Sequence, residues 1–480
     1  MTNQYNAMAI DWSVSPLTKL DNEEFVKTTA YDALNRMLNM HNWHSPQTIG
    51  GVYTPQYNER GLLISESVAI GNEIREAIRT ITYNEKGQRL SQQLGCFTTT
   101  QYTYDPETFR LVKLLTSPPG GGSDFLQHLL YIYDPVGNIT QIEDKAYESV
   151  FFNNQMVEAR STYTYDAIYR LTEATGRENG TLNQAPQQHE TKWPDSSFPV
   201  NDSNALRNYT QKYAYDEVGN ILEMNHRAGN GSQTLRWTRN YEYKPDSNRL
   251  KNTYTGNDRS TQINYVHDIH GNIKNLGPTA DELIWNYNDM IQTANLGGGG
   301  TAMYNYGGDK QRSRKRIVKG NITDDRIYLQ GFEVYRRLQG NLLIENIETH
   351  HLFAGSERVM MAENVRITNN NNLTAGLLYR YQYSNHLGSV GLELDAYAAL
   401  ISYEEYHPYG TSAYQAKNAG IKAIAKRYRY TGMERDEETG LAYHSARYYL
   451  MWLGRWLSAD PIGIKSSINC YEYCLSLIHI

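Results

Sequence analysis

Cysteine is nearly absent: Cys96, Cys470 and Cys474 are all that 480 residues contain. Three scattered thiols cannot build a disulfide framework. Cys470 and Cys474 lie four apart, but no second Cys or His pair stands where a structural zinc would need it. Long apolar runs are missing too, so no segment reaches the length of a bilayer-spanning helix. Residues 1–11 carry neither a basic start nor an apolar core, which leaves no visible secretory signal. A net charge of −6 offers no footprint for nucleic acid or an acidic membrane. In the one basic cluster (Lys310, Arg312, Arg314, Lys315, Arg316) the even-numbered members alternate. They read as one exposed strand face, with Asp324 and Asp325 on a counter-strand. His350-His351 has no acid or thiol at ligand spacing, so neither a metal nor any other cofactor is expected.

Aromatic residues are lopsided: 9 Phe and 7 Trp stand against 40 Tyr. Tyrosine suits a strand whose ring packs while its hydroxyl still reaches a polar partner. The tyrosines fall into a recurring phrase. Tyr133-Asp134-Pro135-Val136-Gly137-Asn138-Ile139 is the cleanest copy, and Tyr215-Asp216-Glu217-Val218-Gly219-Asn220-Ile221 nearly duplicates it. Further copies start at Tyr31, Tyr57, Tyr83, Tyr104, Tyr165, Tyr243, His267, Tyr287 and Tyr306. A period of about 20–30 residues marks a repeat architecture.

Tyr-x-Tyr often precedes the phrase, as at Tyr213 and Tyr215, and places both rings on one strand face. Asp or Asn then opens a turn by accepting backbone hydrogen bonds, and Gly supplies a positive φ. Each unit reads as strand, tight turn, strand. The long gap after Tyr165, with Pro186, Gln187, Gln188, Pro194 and Pro199, reads as an exposed loop. Single hairpins cannot bury their own aromatic face, so they must stack, and strand twist makes the stacked sheet coil. The expected fold is all-β: antiparallel hairpins wound into a large coiled sheet or shell.

The phrase Tyr-Asp-x-x-Gly-Arg/Asn-Leu/Ile is similar to the YD repeat, and the chain resembles the Rhs family. Tyr383-Ser384-Asn385-His386-Leu387-Gly388-Ser389 and Tyr403-Glu404-Glu405-Tyr406-His407-Pro408-Tyr409-Gly410 resemble two elements of that family. Arg429-Tyr430-Thr431-Gly432-Met433-Glu434-Arg435-Asp436 and Ala446-Arg447-Tyr448-Tyr449 through Asp460-Pro461-Ile462-Gly463 resemble its repeat-associated core, closest in style to the C component of insecticidal Tc toxin complexes. The domains then expected are a repeat array over 1–320, a continuing shell over 321–425 and the core over 426–474.

The resemblance implies a shell around a toxic C-terminal polypeptide, which the core frees by one self-cleavage. It implies the enclosed toxin and a capping shell subunit as partners, and export without a visible signal after a cytoplasmic stage. The implied cleavage centre is aspartic, with Asp460 as one acid and Arg447 as the accompanying basic residue. Aspartic chemistry needs two carboxylates sharing one proton. The second Asp is expected about two dozen residues on, past Ile480, so this chain alone is predicted inactive.

Asn469-Cys470-Tyr471-Glu472-Tyr473 tracks the family, whereas residues 475–480 match what a transposon sequencing adapter encodes. They read as an assembly artefact, and the chain as an interior piece of a larger protein. Other residues carry bland readings: Asp436-Glu437 a solvated turn, Trp452 and Trp456 packing. The competing functional class is a surface adhesion or carbohydrate-binding module, since similar repeats occur in teneurin-like adhesion proteins and tyrosine-rich strands offer flat platforms for sugars.

Overall fold

The computed structural model describes residues 2–5, 20–152, 155–186, 206–229, 232–278, 282–371, 373–418, 420–465 and 467–473. Most of the long loop after Tyr165, including Gln187, Gln188, Pro194 and Pro199, lies outside them, as do Cys474 and residues 475–480. Strands dominate, joined by antiparallel pairing of each to the next. An 18-stranded sheet runs to Asp258–Asn264, a 12-stranded sheet spans Leu283–Trp285 to Ser412–Lys417, and a 4-stranded sheet ends at Arg455–Trp456. Among the described residues no helix is long and apolar enough to cross a membrane.

Where the repeat phrase forms a hairpin turn, the same local chemistry sets it. Asp166 Oδ1 accepts the backbone N–H of Ile168 and Arg170 at 3.0 and 2.9 Å. Asp216 does the same for Val218 and Asn220 at 3.1 and 2.8 Å. The other carboxylate oxygen binds the side chain four residues on: Arg170 Nε at 2.6 Å, Asn220 Nδ2 at 2.8 Å. That contact accounts for the Arg/Asn alternation in the phrase. The residue before it has positive φ, +86° at Gly219, and the strand register shifts at the tyrosine, the signature of a bulged tight turn.

Many of the phrase tyrosines also tie their hairpin to an earlier one. Tyr83 donates its hydroxyl to the Leu63 carbonyl at 2.7 Å, Tyr133 to Leu111 at 2.6 Å and Tyr165 to Ile139 at 2.8 Å. Tyr215 reaches Leu171, Tyr243 reaches Ile221, Tyr306 reaches Ile291 and Tyr406 reaches Val390 in the same way. The acceptor is the residue that resumes the strand after the preceding turn. Phenylalanine could pack there but not donate, which explains the surplus of tyrosine; each staple is worth about 1 kcal/mol.

One copy was misplaced by sequence. The unit assigned to Tyr287 belongs to Trp285-Asn286: Asn286 accepts from Asn288 and Met290, while Tyr287 projects from the turn. Trp285 replaces the tyrosine and donates its indole N–H to Ile273 at 2.8 Å. Conversely, Asn385-His386-Leu387-Gly388-Ser389 folds as another copy, with Asn385 Oδ1 accepting from Leu387 and Ser389.

The two large sheets pack against each other. Ile78, Leu94 and Cys96 share one core with Tyr381, Tyr383 and Leu392. Tyr381 donates to the Glu76 carbonyl at 2.7 Å, and Arg89 pairs with Glu357 at 2.6 Å. The approach is close at Gly95, where a Cβ would sit 2.4 Å from the Tyr381 hydroxyl oxygen of the second sheet. Residues about 300 apart in sequence thus meet at one seam, as a coiled ribbon requires.

Candidate cleavage centre and the core that holds it

The 4-stranded sheet is anchored through buried charge. Arg312 donates from Nη1 to Asp436 at 2.7 Å and from Nη2 to Glu434 at 2.6 Å. Lys315 Nζ binds the other Asp436 oxygen at 2.7 Å. Two sequence readings are corrected here. Arg312, Arg314 and Lys315 are buried rather than forming an exposed face, and Asp436 is fully buried rather than a solvated turn. Asp325 does lie on the counter-strand Ile322–Leu329, where it pairs with buried Arg314 at 2.5 Å. Binary patterning failed because the neighbours that cover this strand come from residues more than a hundred positions away.

On its other side the core meets hairpin turns of the first sheet and the turn at Gly271 that follows it. Tyr471 donates to the Gly271 carbonyl at 3.1 Å, and Asn469 Nδ2 to Asn220 Oδ1 at 3.0 Å. Arg455 donates to the Asn248 carbonyl at 2.9 Å. Trp452 and Trp456 are buried packing residues, as expected.

Asp460 follows the strand Arg455–Trp456, and Arg447 opens the strand Arg447–Leu450. The fold brings them together: Arg447 Nη2 stands 3.2 Å from Asp460 Oδ2. The Arg447 guanidinium lies over Trp456, 4.1 Å from the ring centre, which fixes its plane. Asp460 Oδ1 accepts the Ile462 N–H at 2.9 Å, and the Asp460 carbonyl accepts Gly463 N–H at 2.8 Å. Asp460 is therefore a turn opener and an arginine-paired carboxylate at once. Its own N–H donates to the Cys470 carbonyl at 2.9 Å, holding the following segment alongside.

Burial lowers Arg447 from the ordinary guanidinium value, against the opposing pull of Asp460. His444, across the strand pair from Arg447, is pushed down to about 3 by burial and by that arginine's charge. It stays neutral among Tyr449, Trp456 and Tyr473. Tyr473 stacks on Tyr449 with ring centres 3.7 Å apart. Among the described residues, Asp460 is the carboxylate in ion-pair contact with Arg447.

No family model matches the chain. It is 33% identical over 437 residues to the toxin subunit YenC1 of Yersinia entomophaga, covering 88% of this chain and 44% of that protein. It is 34% identical over 422 residues to the toxin subunit YenC2 of the same organism, covering 84% and 42%. The crystal structure of TcdB2-TccC3-Cdc42 matches with a TM-score of 0.85 and 29% identity, over 100% of this chain and 22% of that one. The chain is an Rhs-type, Tc toxin C-component-like protein. It spans less than half the length of these curated relatives. Its antiparallel sheets match those of this toxin-complex structure along the whole Rhs-type chain.

Sequence reasoning missed one buried cluster of the Rhs-type chain. Glu178 and His226 from the first sheet meet His407 from a turn of the second. Their ligand-capable atoms lie within 4.8 Å of one another. His226 Nε2 is 3.1 Å and His407 Nε2 3.0 Å from the Glu178 carboxylate, while Arg207 Nε donates to it at 2.9 Å. Gln211 faces His226 Nδ1 at 3.2 Å, and the Tyr213 hydroxyl holds the other end of that amide at 2.6 Å. A charge partner and outer-shell contacts are already supplied, so the donor set reads as a hydrogen-bonded clasp between sheets. Nothing local could flag it, since the three residues are scattered along the chain. His351, read as lacking an acid, is 3.0 Å from Glu333 across the strand pair.

Proposed function

We propose that the chain is a wall segment of a shell that, in the intact parent, encloses a C-terminal toxin polypeptide and releases it by a single aspartic self-cleavage. Under this reading residues 1–320 and 321–425 form the wall and 426–474 carry the cleavage core. A capping subunit closes the shell, and the parent is exported after a cytoplasmic stage.

The observation that carries the catalytic part is the Arg447–Asp460 pair at an Asp-Pro-Ile-Gly turn. In an aspartic dyad one carboxylate activates water as the other polarises the scissile carbonyl, and the two share one proton. Asp460 would be one member, Arg447 would hold it in place, and a second Asp-Pro-x-Gly element of the parent would supply the other. The test is Asp460→Asn in the full-length parent. The uncut polypeptide should accumulate while wild type yields two fragments, seen by mass spectrometry. Cleavage at the wild-type position in the Asn variant would remove Asp460 from the chemistry.

A further inference from the structure

Beyond Asp460 the core stops burying its aliphatic side chains. Leu441, Leu450, Leu453 and Leu457 are buried, whereas Ile462, Ile464 and Ile468 are 62%, 79% and 73% exposed. Single exposed apolar residues are ordinary, but several gathered beside one polar centre mark a contact surface. Short connections hold these three close to Asp460. Its Oδ1 accepts the Ile462 N–H at 2.9 Å. Its own N–H reaches the Cys470 carbonyl at 2.9 Å, which brings the stretch around Ile468 back alongside.

A fourth isoleucine joins them from a distant part of the chain. Ile269, 90% exposed, lies in the turn where Asp268 accepts the Asn272 N–H. Asn248 Nδ2 donates to the Ile468 carbonyl at 3.0 Å, and its neighbour Arg249 donates to the Ile269 carbonyl at 3.4 Å. Tyr471 binds the same turn at the Gly271 carbonyl, where a Cβ would lie 2.2 Å from its hydroxyl oxygen. Only glycine permits that approach. Ile468 and Ile269 thus flank one turn, and the apolar surface runs from Asp460 onto the border of the wall.

The chemistry beside this surface says what covers it. An aspartic dyad needs a second carboxylate near enough to share a proton with Asp460. Arg447, backed by Trp456, takes one oxygen of Asp460, and the side chain keeps 15% of its surface open. A segment bringing the second acid to that opening crosses the protein next to Ile462 and Ile464.

We propose that Ile462, Ile464, Ile468 and Ile269 are the seat for the parent segment that carries the second acid, holding its carboxylate against Asp460. This rests on the aspartic reading above. The four are positioning residues, since they touch the segment and not the reacting atoms. Apolar contact suits the task because it fixes the segment without placing a further charge beside the shared proton.

The test is the rate at which the newly synthesised full-length parent cuts itself, followed as the uncut polypeptide gives way to two fragments. Ile464→Ser with Ile468→Ser should slow the cut at least about tenfold. Ile269→Ser, on the distant turn, should slow it by itself, and leucine at each position should restore the wild-type rate. Melting temperatures should stay unchanged, because all four side chains are exposed. Should the double variant fail to fold, Ile269→Ser against Ile269→Leu carries the test. Wild-type rates in the serine variants, or leucine variants as slow as the serine ones, would overturn the seat while a block by Asp460→Asn keeps the aspartic reading. Cutting at the same bond in Asp460→Asn would overturn both.

Discussion

Replacing Arg312 with Met should loosen the core from the second sheet, lowering stability there by about 3 kcal/mol, the lower end for a broken buried pair. The arginine loses both partners at once. Glu434 keeps Arg427 at 2.9 Å, and Asp436 keeps Lys315 at 2.7 Å, so the loss falls short of complete abandonment. Stacking goes too, since the guanidinium lies 4.4 Å from Tyr443 and 4.8 Å from Tyr328. A chain of this size need not unfold in one step, so hydrogen exchange in Ala442–His444 and Arg447–Leu450 is the suitable readout. Exchange there should quicken markedly while the first sheet stays protected. Unchanged exchange in both strands would mean that the core is held by apolar packing alone.

Glu178→Gln should cost up to about 3 kcal/mol at neutral pH, with a loss that shrinks in acid. Burial pushes Glu178 up, but hydrogen bonds from His226 and His407 and their charge outweigh it and hold the carboxyl at about 2. A carboxylate lowered on folding contributes stability above its unfolded value near 4.5, and that stability is lost as pH falls toward 2. Burial lowers His226 despite Glu178, and the charges of His407 and Arg207 lower it further. The unfolded chain therefore binds its proton first, so both proteins also weaken as pH drops below the ordinary imidazole value. The variant's melting temperature should lie below that of the wild type from pH 8 to 5, and the gap should close as pH falls from about 4.5 toward 2. A gap that persists unchanged to pH 3 would remove the clasp from the acid response.

Much of the fold could be read from local chemistry. The Asp or Asn that opens each turn, the positive-φ residue and the Tyr-x-Tyr face all act within a few residues, so they appear as a phrase. The Trp285 unit was misread because a different side chain performs the tyrosine's donation. What lies between hairpins was not legible. Arg312 and Lys315 look like solvated residues until Asp436 and Glu434 are placed beside them, more than a hundred positions along. At the candidate centre, resemblance singled out Asp460 and Arg447, and the fold places them in contact; spacing alone could not have done so. The Glu178 clasp carries no local signature at all, since it is defined by what surrounds it after folding.

The central claim is that these stapled hairpins are the wall of a container. Electron microscopy of the full-length parent, with Asp460→Asn to retain any cargo, tests it most directly. The account predicts a closed hollow particle, its wall built of continuous antiparallel strands and its interior holding density for the C-terminal polypeptide. An open ribbon with no lumen, or a particle whose C-terminal polypeptide sits outside, would contradict it.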